Sequence, residues 1–88
     1  MRIVKGLLPH ETPDGVIAVA TGEAANRFNG MLRLNPTAVF VLEQLAHDTT
    51  EDAIVAALLA EYEVDEAVAK RDVGALISQL RAENLIIE

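Results

Sequence analysis

Between Leu34 and Pro36 the apolar residues of this sequence change their period, and no single type of secondary structure can serve both sides of that change. Upstream, Phe28, Gly30, Leu32 and Leu34 alternate with Asn29, Met31 and Arg33, the two-residue repeat of a strand with unlike faces. Downstream the repeat is helical. Asn35 suits an N-cap, and Pro36 suits the first helical position, where its missing N–H is not needed. The helix that follows is expected to reach about Leu45, with Val39, Leu42 and Leu45 turned inward. A second helix opens at Thr49-Thr50-Glu51-Asp52 and ends near Tyr62, with Ile54, Val55, Leu58 and Leu59 apolar. Asp65 caps a third, roughly Glu66 to Glu83, whose stripe is Ala69, Val73, Leu76, Ile77 and Leu80. Asn84 stops it, because Asn tolerates the left-handed conformation, and Leu85-Ile86-Ile87 is expected to pack back on the core.

The segment before Phe28 reads as strand, turn, strand. Pro fixes φ and Gly accepts positive φ in Thr12-Pro13-Asp14-Gly15, between the apolar runs Ile3–Leu8 and Val16–Thr21. Gly22–Arg27 reads as an irregular connection to the third strand, Phe28–Leu34. Three strands followed by three helices predict an α+β fold, a three-stranded antiparallel sheet with a winged helix-turn-helix-like helical part. At 88 residues and 51% apolar, the chain is expected to form one domain over residues 1–88.

Little in the composition suggests chemistry. No cysteine is present, and the only serine, Ser78, stands mid-helix away from the apolar stripe. His10 and His47 lack the paired spacing of a zinc site, so no metal, cofactor or catalytic residue is expected. A net charge of −7 sets the chain against nucleic acid and against anionic membranes. Neither a signal peptide nor a run long enough to cross a bilayer is present, and with no thiols the expected location is the cytoplasm.

The third strand is then the informative feature. An edge strand presents unpaired N–H and C=O groups, and Phe28–Leu34 carries one charge and no proline to guard it. Such an edge can take a peptide as an added strand, or pair with a copy of itself across a two-fold axis as a homodimer. Gly30, on this reading, leaves room for the second backbone. Valine there should then raise strand propensity and obstruct binding; were Gly30 instead in a bulge at positive φ, valine would cost stability outright.

The stretches Thr21-Gly22-Glu23-Ala24-Ala25…Phe28–Asn35, Leu58–Asp65, Arg71-Asp72-Val73 and Leu76–Arg81 resemble the PqqD-like family, in order and spacing, over nearly the whole chain. Its members often carry a bulky aromatic where Val41 or Leu42 stands; here Phe40 and smaller aliphatics take that role. The resemblance implies a recognition element for ribosomally made, modified peptides, not an enzyme. It would bind the leader part of a precursor against the third strand and third helix, for a modifying enzyme such as a radical SAM enzyme, protease or cyclase.

Carried over by position, the peptide-binding residues are Phe28, Asn29, Gly30, Met31, Leu32 and Arg33 on the strand. Gly30 and Leu32 face the groove or the core, and Met31 and Arg33 face the rim. At 100° per residue, Lys70, Gly74, Ile77 and Arg81 flank the helical stripe on one side, beside Val73. Asp72, Gln79 and Glu83 flank it on the other. Taken as the groove side, the first flank offers Ile77 as an apolar shoulder, Gly74 as space, and Lys70 and Arg81 for leader carboxylates. The alternative is a winged-helix DNA-binding or regulatory protein, for which Lys70, Arg71 and Arg81 are the few cations on offer.

Overall fold

A computed structural model describes residues 1–88. Its elements are strands β1 (Arg2–Ile3), β2 (Leu7–Thr12) and β3 (Gly15–Ala20), the short helix α1 (Gly22–Arg27) and strand β4 (Met31–Leu34). Helices α2 (Pro36–Gln44), α3 (Glu51–Glu61) and α4 (Glu66–Ala82) follow, then strand β5 (Ile86–Ile87). β2, β3 and β4 form an antiparallel sheet in that order, and β1 pairs with β5 apart from it.

The expected α+β, winged-helix-like order holds, with three shifts in the strand region. The first sheet strand is Leu7–Thr12, not Ile3–Leu8, because Gly6 turns the chain at φ +101°. A Cβ on Gly6 would collide with the Thr21 carbonyl, so only glycine allows that approach. The Pro13-Asp14 loop then joins Thr12 to Gly15 and carries β2 up to the turn. Gly22–Arg27 is helical rather than irregular; six residues are too few to show a period. That turn is held by Ala24 N–H donating to the Lys5 carbonyl at 3.1 Å, by Arg27 pairing with Glu23 at 3.3 Å, and by burial of Ala24. Finally, the third sheet strand starts at Met31. Phe28 ends α1 through its N–H to the Ala24 carbonyl at 2.8 Å, and the chain bends at Gly30.

The helix starts follow the cap chemistry. Asn35 Oδ1 accepts from Ala38 N–H at 2.7 Å, Thr50 Oγ1 from Ala53 N–H at 3.1 Å, and Asp65 Oδ1 from Ala67 N–H at 2.8 Å. Asn84, at φ 60°, closes α4 and lets Leu85 N–H reach the Leu80 carbonyl at 2.9 Å. Leu85 and Ile86 are then buried, and Val4 N–H donates to the Leu85 carbonyl at 2.8 Å.

One cluster of 17 buried apolar side chains unites the sheet and all four helices. Ala18, Leu32 and Leu34 come from the sheet; Ala69, Val73, Ile77 and Leu80 come from α4. In α2 the inward face is Ala38, Val41 and Leu45, one step round from the expected Val39, Leu42 and Leu45, so Val39 and Leu42 are half-buried.

Candidate functional site

The direction of each backbone group on β4 follows from the hairpin. Thr12 and Gly15 close a two-residue loop as a hydrogen-bonded pair, and bonded pairs alternate along an antiparallel ladder. His10 with Ile17 and Leu8 with Val19 are therefore the next bonded pairs, and the groups of Val16 and Ala18 point the other way, toward β4. They meet Leu34 and Leu32. Met31 and Arg33 consequently send their N–H and C=O groups outward, and none of the backbone bonds made outside the helices and strands uses them. The side chains obey the complementary alternation. Leu32 and Leu34 are buried against the helices, whereas Met31 (62% exposed) and Arg33 lie on the outer face.

The second free edge, on β2, differs. By the same alternation Leu7, Pro9 and Glu11 direct their groups outward, so the proline occupies an outward position with no donor to offer. One edge of the sheet is guarded and one is open.

Beside β4 lies a cleft of about 290 Å³ lined by Arg33, Asn35, Thr37, Ala38, Asp72, Ala75, Leu76 and Gln79. β4 and the start of α2 form one wall, and one flank of α4 forms the other. A larger open hollow of about 670 Å³ at the hairpin end shares Arg33 and Asn35 with it, so the depression continues past the end of β4. Arg27 Nη1 donates to the Asn84 carbonyl at 3.3 Å. The chain entering β4 thus lies at the C-terminal end of α4, and the cleft opens between the Arg33 end of β4 and the Asp72–Gln79 stretch of α4.

The α4 flank that lines the cleft opposite Arg33 is the one bearing Asp72 and Gln79. Of the residues expected to face the groove, Val73 and Ile77 have no exposed surface and belong to the core. Gly74 faces α3, where a Cβ would stand 3.7 Å from Glu51 Oε2. Lys70 pairs with Glu66 at 3.2 Å, and Arg81 with Glu88 at 2.7 Å, an ion pair that raises the Arg81 pKa and lowers that of Glu88. None of the four flank residues lines the cleft. Helical period fixes the buried stripe but not which flank a neighbouring strand will meet, and the short stretch Thr37-Ala38 gave no signal of its own.

Gly30 also departs from its expected place. It precedes β4 at φ +148°, and a Cβ there would lie 3.6 Å from the Phe28 ring. Gly30→Val is therefore expected to lower stability by about 1–2 kcal/mol rather than raise it, because a β-branched residue is strained at positive φ. Thermal melting checks the sign; a variant as stable as the parent would show that the bend relaxes freely.

No three His, Asp or Glu side chains converge in a way that would hold a metal ion. His10 stands on the outer sheet face across from Ile17, His47 follows α2, and Ser78 is exposed on α4. The site's resources are main-chain groups, an apolar notch and a few charges.

The coenzyme PQQ synthesis protein D (PqqD) family model matches residues 7–86. A solved structure of lasso peptide synthetase B1 complexed with the leader peptide has a TM-score of 0.68 and 22% identity, covering 99% of this chain and 96% of that one. A structure of TbiB1 in complex with the TbiA(beta) leader peptide has a TM-score of 0.69 and 21% identity, covering 97% and 93%. No curated protein sequence matches the chain significantly. At these identities the likeness to the solved structures is one of fold.

Proposed function

Since the chain belongs to the PqqD family, we propose that it binds the leader segment of a ribosomally made precursor peptide as a strand added to β4, and presents it to a modifying enzyme. The observation that carries this reading is the pair of outward N–H and C=O groups on Met31 and Arg33, set beside an open cleft under α4. Strand addition satisfies such groups, and alternate side chains of the added strand then enter or leave the cleft. Proteins of this fold have been solved with a leader peptide bound, which supports a leader peptide as the ligand here.

The chain itself would carry out no bond-making step. Its contribution would be effective concentration, holding the substrate near a partner's active site. A duplex-binding role fares poorly because every cation of α4 lies beside a carboxylate and the chain as a whole carries a net charge of −7. Lys70 contacts Glu66, Arg71 contacts Asp72 and Arg81 contacts Glu88, so α4 offers no surplus positive charge to a phosphate backbone.

The test is amide exchange and chemical-shift mapping with the leader of a precursor encoded beside the gene. Binding at micromolar affinity or tighter, about −8 kcal/mol, is expected. Exchange protection should fall on the Met31 and Arg33 amides, with shifts at Thr37, Asp72, Ala75, Leu76 and Gln79. Perturbation centred on the Pro13–Gly15 turn, or on the Lys70 and Arg81 flank, would overturn the placement.

A further inference from the structure

The cleft's charge and shape also specify its peptide. Resting on strand addition at β4, we infer that the segment recognised carries an aliphatic or aromatic residue over Ala75 and Leu76, and a basic residue facing Asp72 two positions away on the same face. The α4 wall is made by Asp72, Ala75, Leu76 and Gln79. Ala75 is small and exposed, Leu76 is half-buried, and Ala38 lies opposite them, which leaves an apolar notch. Asp72 stands about one helical turn from Leu76, about 6 Å along the axis. Same-face residues of an extended strand are about 6.6 Å apart, so neighbouring inward residues of one peptide meet the notch and the carboxylate together.

A carboxylate, that of Asp72, stands at that second position. The only ion partner of Asp72 is the adjacent Arg71, at 3.3 Å, with side chains 47% and 73% exposed. So exposed a contact contributes little and yields readily to an incoming cation. Of the other α4 cations, Lys70 and Arg81 are engaged on the opposite flank, so Arg71 is the one an incoming cation would displace from Asp72.

The opposite rule holds on the other face. Arg33 projects from the outer side of β4 and forms no ion pair or hydrogen bond, although it borders the cleft. Residues of the added strand beside Arg33 point outward, at odd offsets from the apolar anchor, and acidic residues are favoured there. Basic at even offset and acidic at odd offset is thus the pattern this edge selects.

Random dodecapeptides displayed on phage and panned against the whole chain test it. Enriched sequences should share an apolar residue with Lys or Arg two positions away. A synthetic peptide from that set should lose about three- to fivefold in affinity when the basic residue becomes Glu. On Asp72→Lys protein the preference should invert, whereas Lys70→Glu and Arg81→Glu proteins keep it. Selected peptides with no charge preference, or with acidic residues dependent on Lys70 or Arg81, would overturn the inference. If such peptides still protected the Met31 and Arg33 amides, strand addition would survive that failure. An absence of any binder, or binders that leave β4 unprotected, would remove both.

Discussion

An Arg33→Pro chain is expected to fold and melt within a few degrees of the parent, yet to lose peptide affinity by roughly a hundredfold. The asymmetry follows from the ladder. Arg33 sends its N–H away from β3, so proline removes no bond within the sheet. The residue before it, Leu32, is already extended, as a residue preceding proline prefers. The incoming strand, however, loses a donor and leaves its own carbonyl unsatisfied against the ring, which costs about 1–3 kcal/mol before the steric conflict is added. Two controls isolate the cause. Arg33→Ala removes the guanidinium but keeps the N–H, and should bind within a few-fold of the parent. Leu32→Pro breaks a bond to β3 at a buried position and should unfold the domain. Normal binding by a folded Arg33→Pro chain would mean that β4 is not the receiving edge.

The second large effect is on stability. Ile77→Ala should destabilise the chain by about 2–4 kcal/mol, since Ile77 is fully buried in the cluster under the sheet and its truncation leaves a cavity. In a domain this small that is a large share of the total. Urea unfolding reads the loss, and peptide titration under folding conditions should show affinity close to the parent. Arg81→Ala, which breaks an exposed pair with Glu88, should change neither quantity much. If Ile77→Ala melted like the parent but bound poorly, Ile77 would be a groove residue and the flank assignment would be reversed.

How far the sequence carried depended on the length of each signal. The three longer helices were legible because Asn35-Pro36, Thr50 and Asp65 are caps with a mechanism, and each precedes a sustained period. α1 was not, because six residues show no period and its support is tertiary, from the Lys5 carbonyl and the Asn84 carbonyl. The apolar run Ile3–Leu8 looked like a strand, but the φ of Gly6 is a property no pattern reveals, and the sheet strand instead includes Pro9, His10 and Glu11. At the site, the alternation of Phe28–Leu34 was enough to mark an unguarded strand edge. The facing flank was not readable. Asp72 and Lys70 lie at similar angles from the stripe, and only the position of β4 decides between them.

The contrast between the two edges of the sheet also governs how copies of the chain can meet. Growth of a fibre or tape by strand pairing requires two competent edges per molecule, one to join and one to be joined. Pro9 removes the central donor of the second, so association through β4 is favoured over growth from both edges. Two copies meeting through β4 would exhaust each other's bonding capacity and stop at a pair, with the cleft occupied by the neighbour's strand. Any such pairing would compete with the peptide for the same groups, so ligand would hold the chain as a monomer, and its apparent affinity would weaken as protein concentration rises.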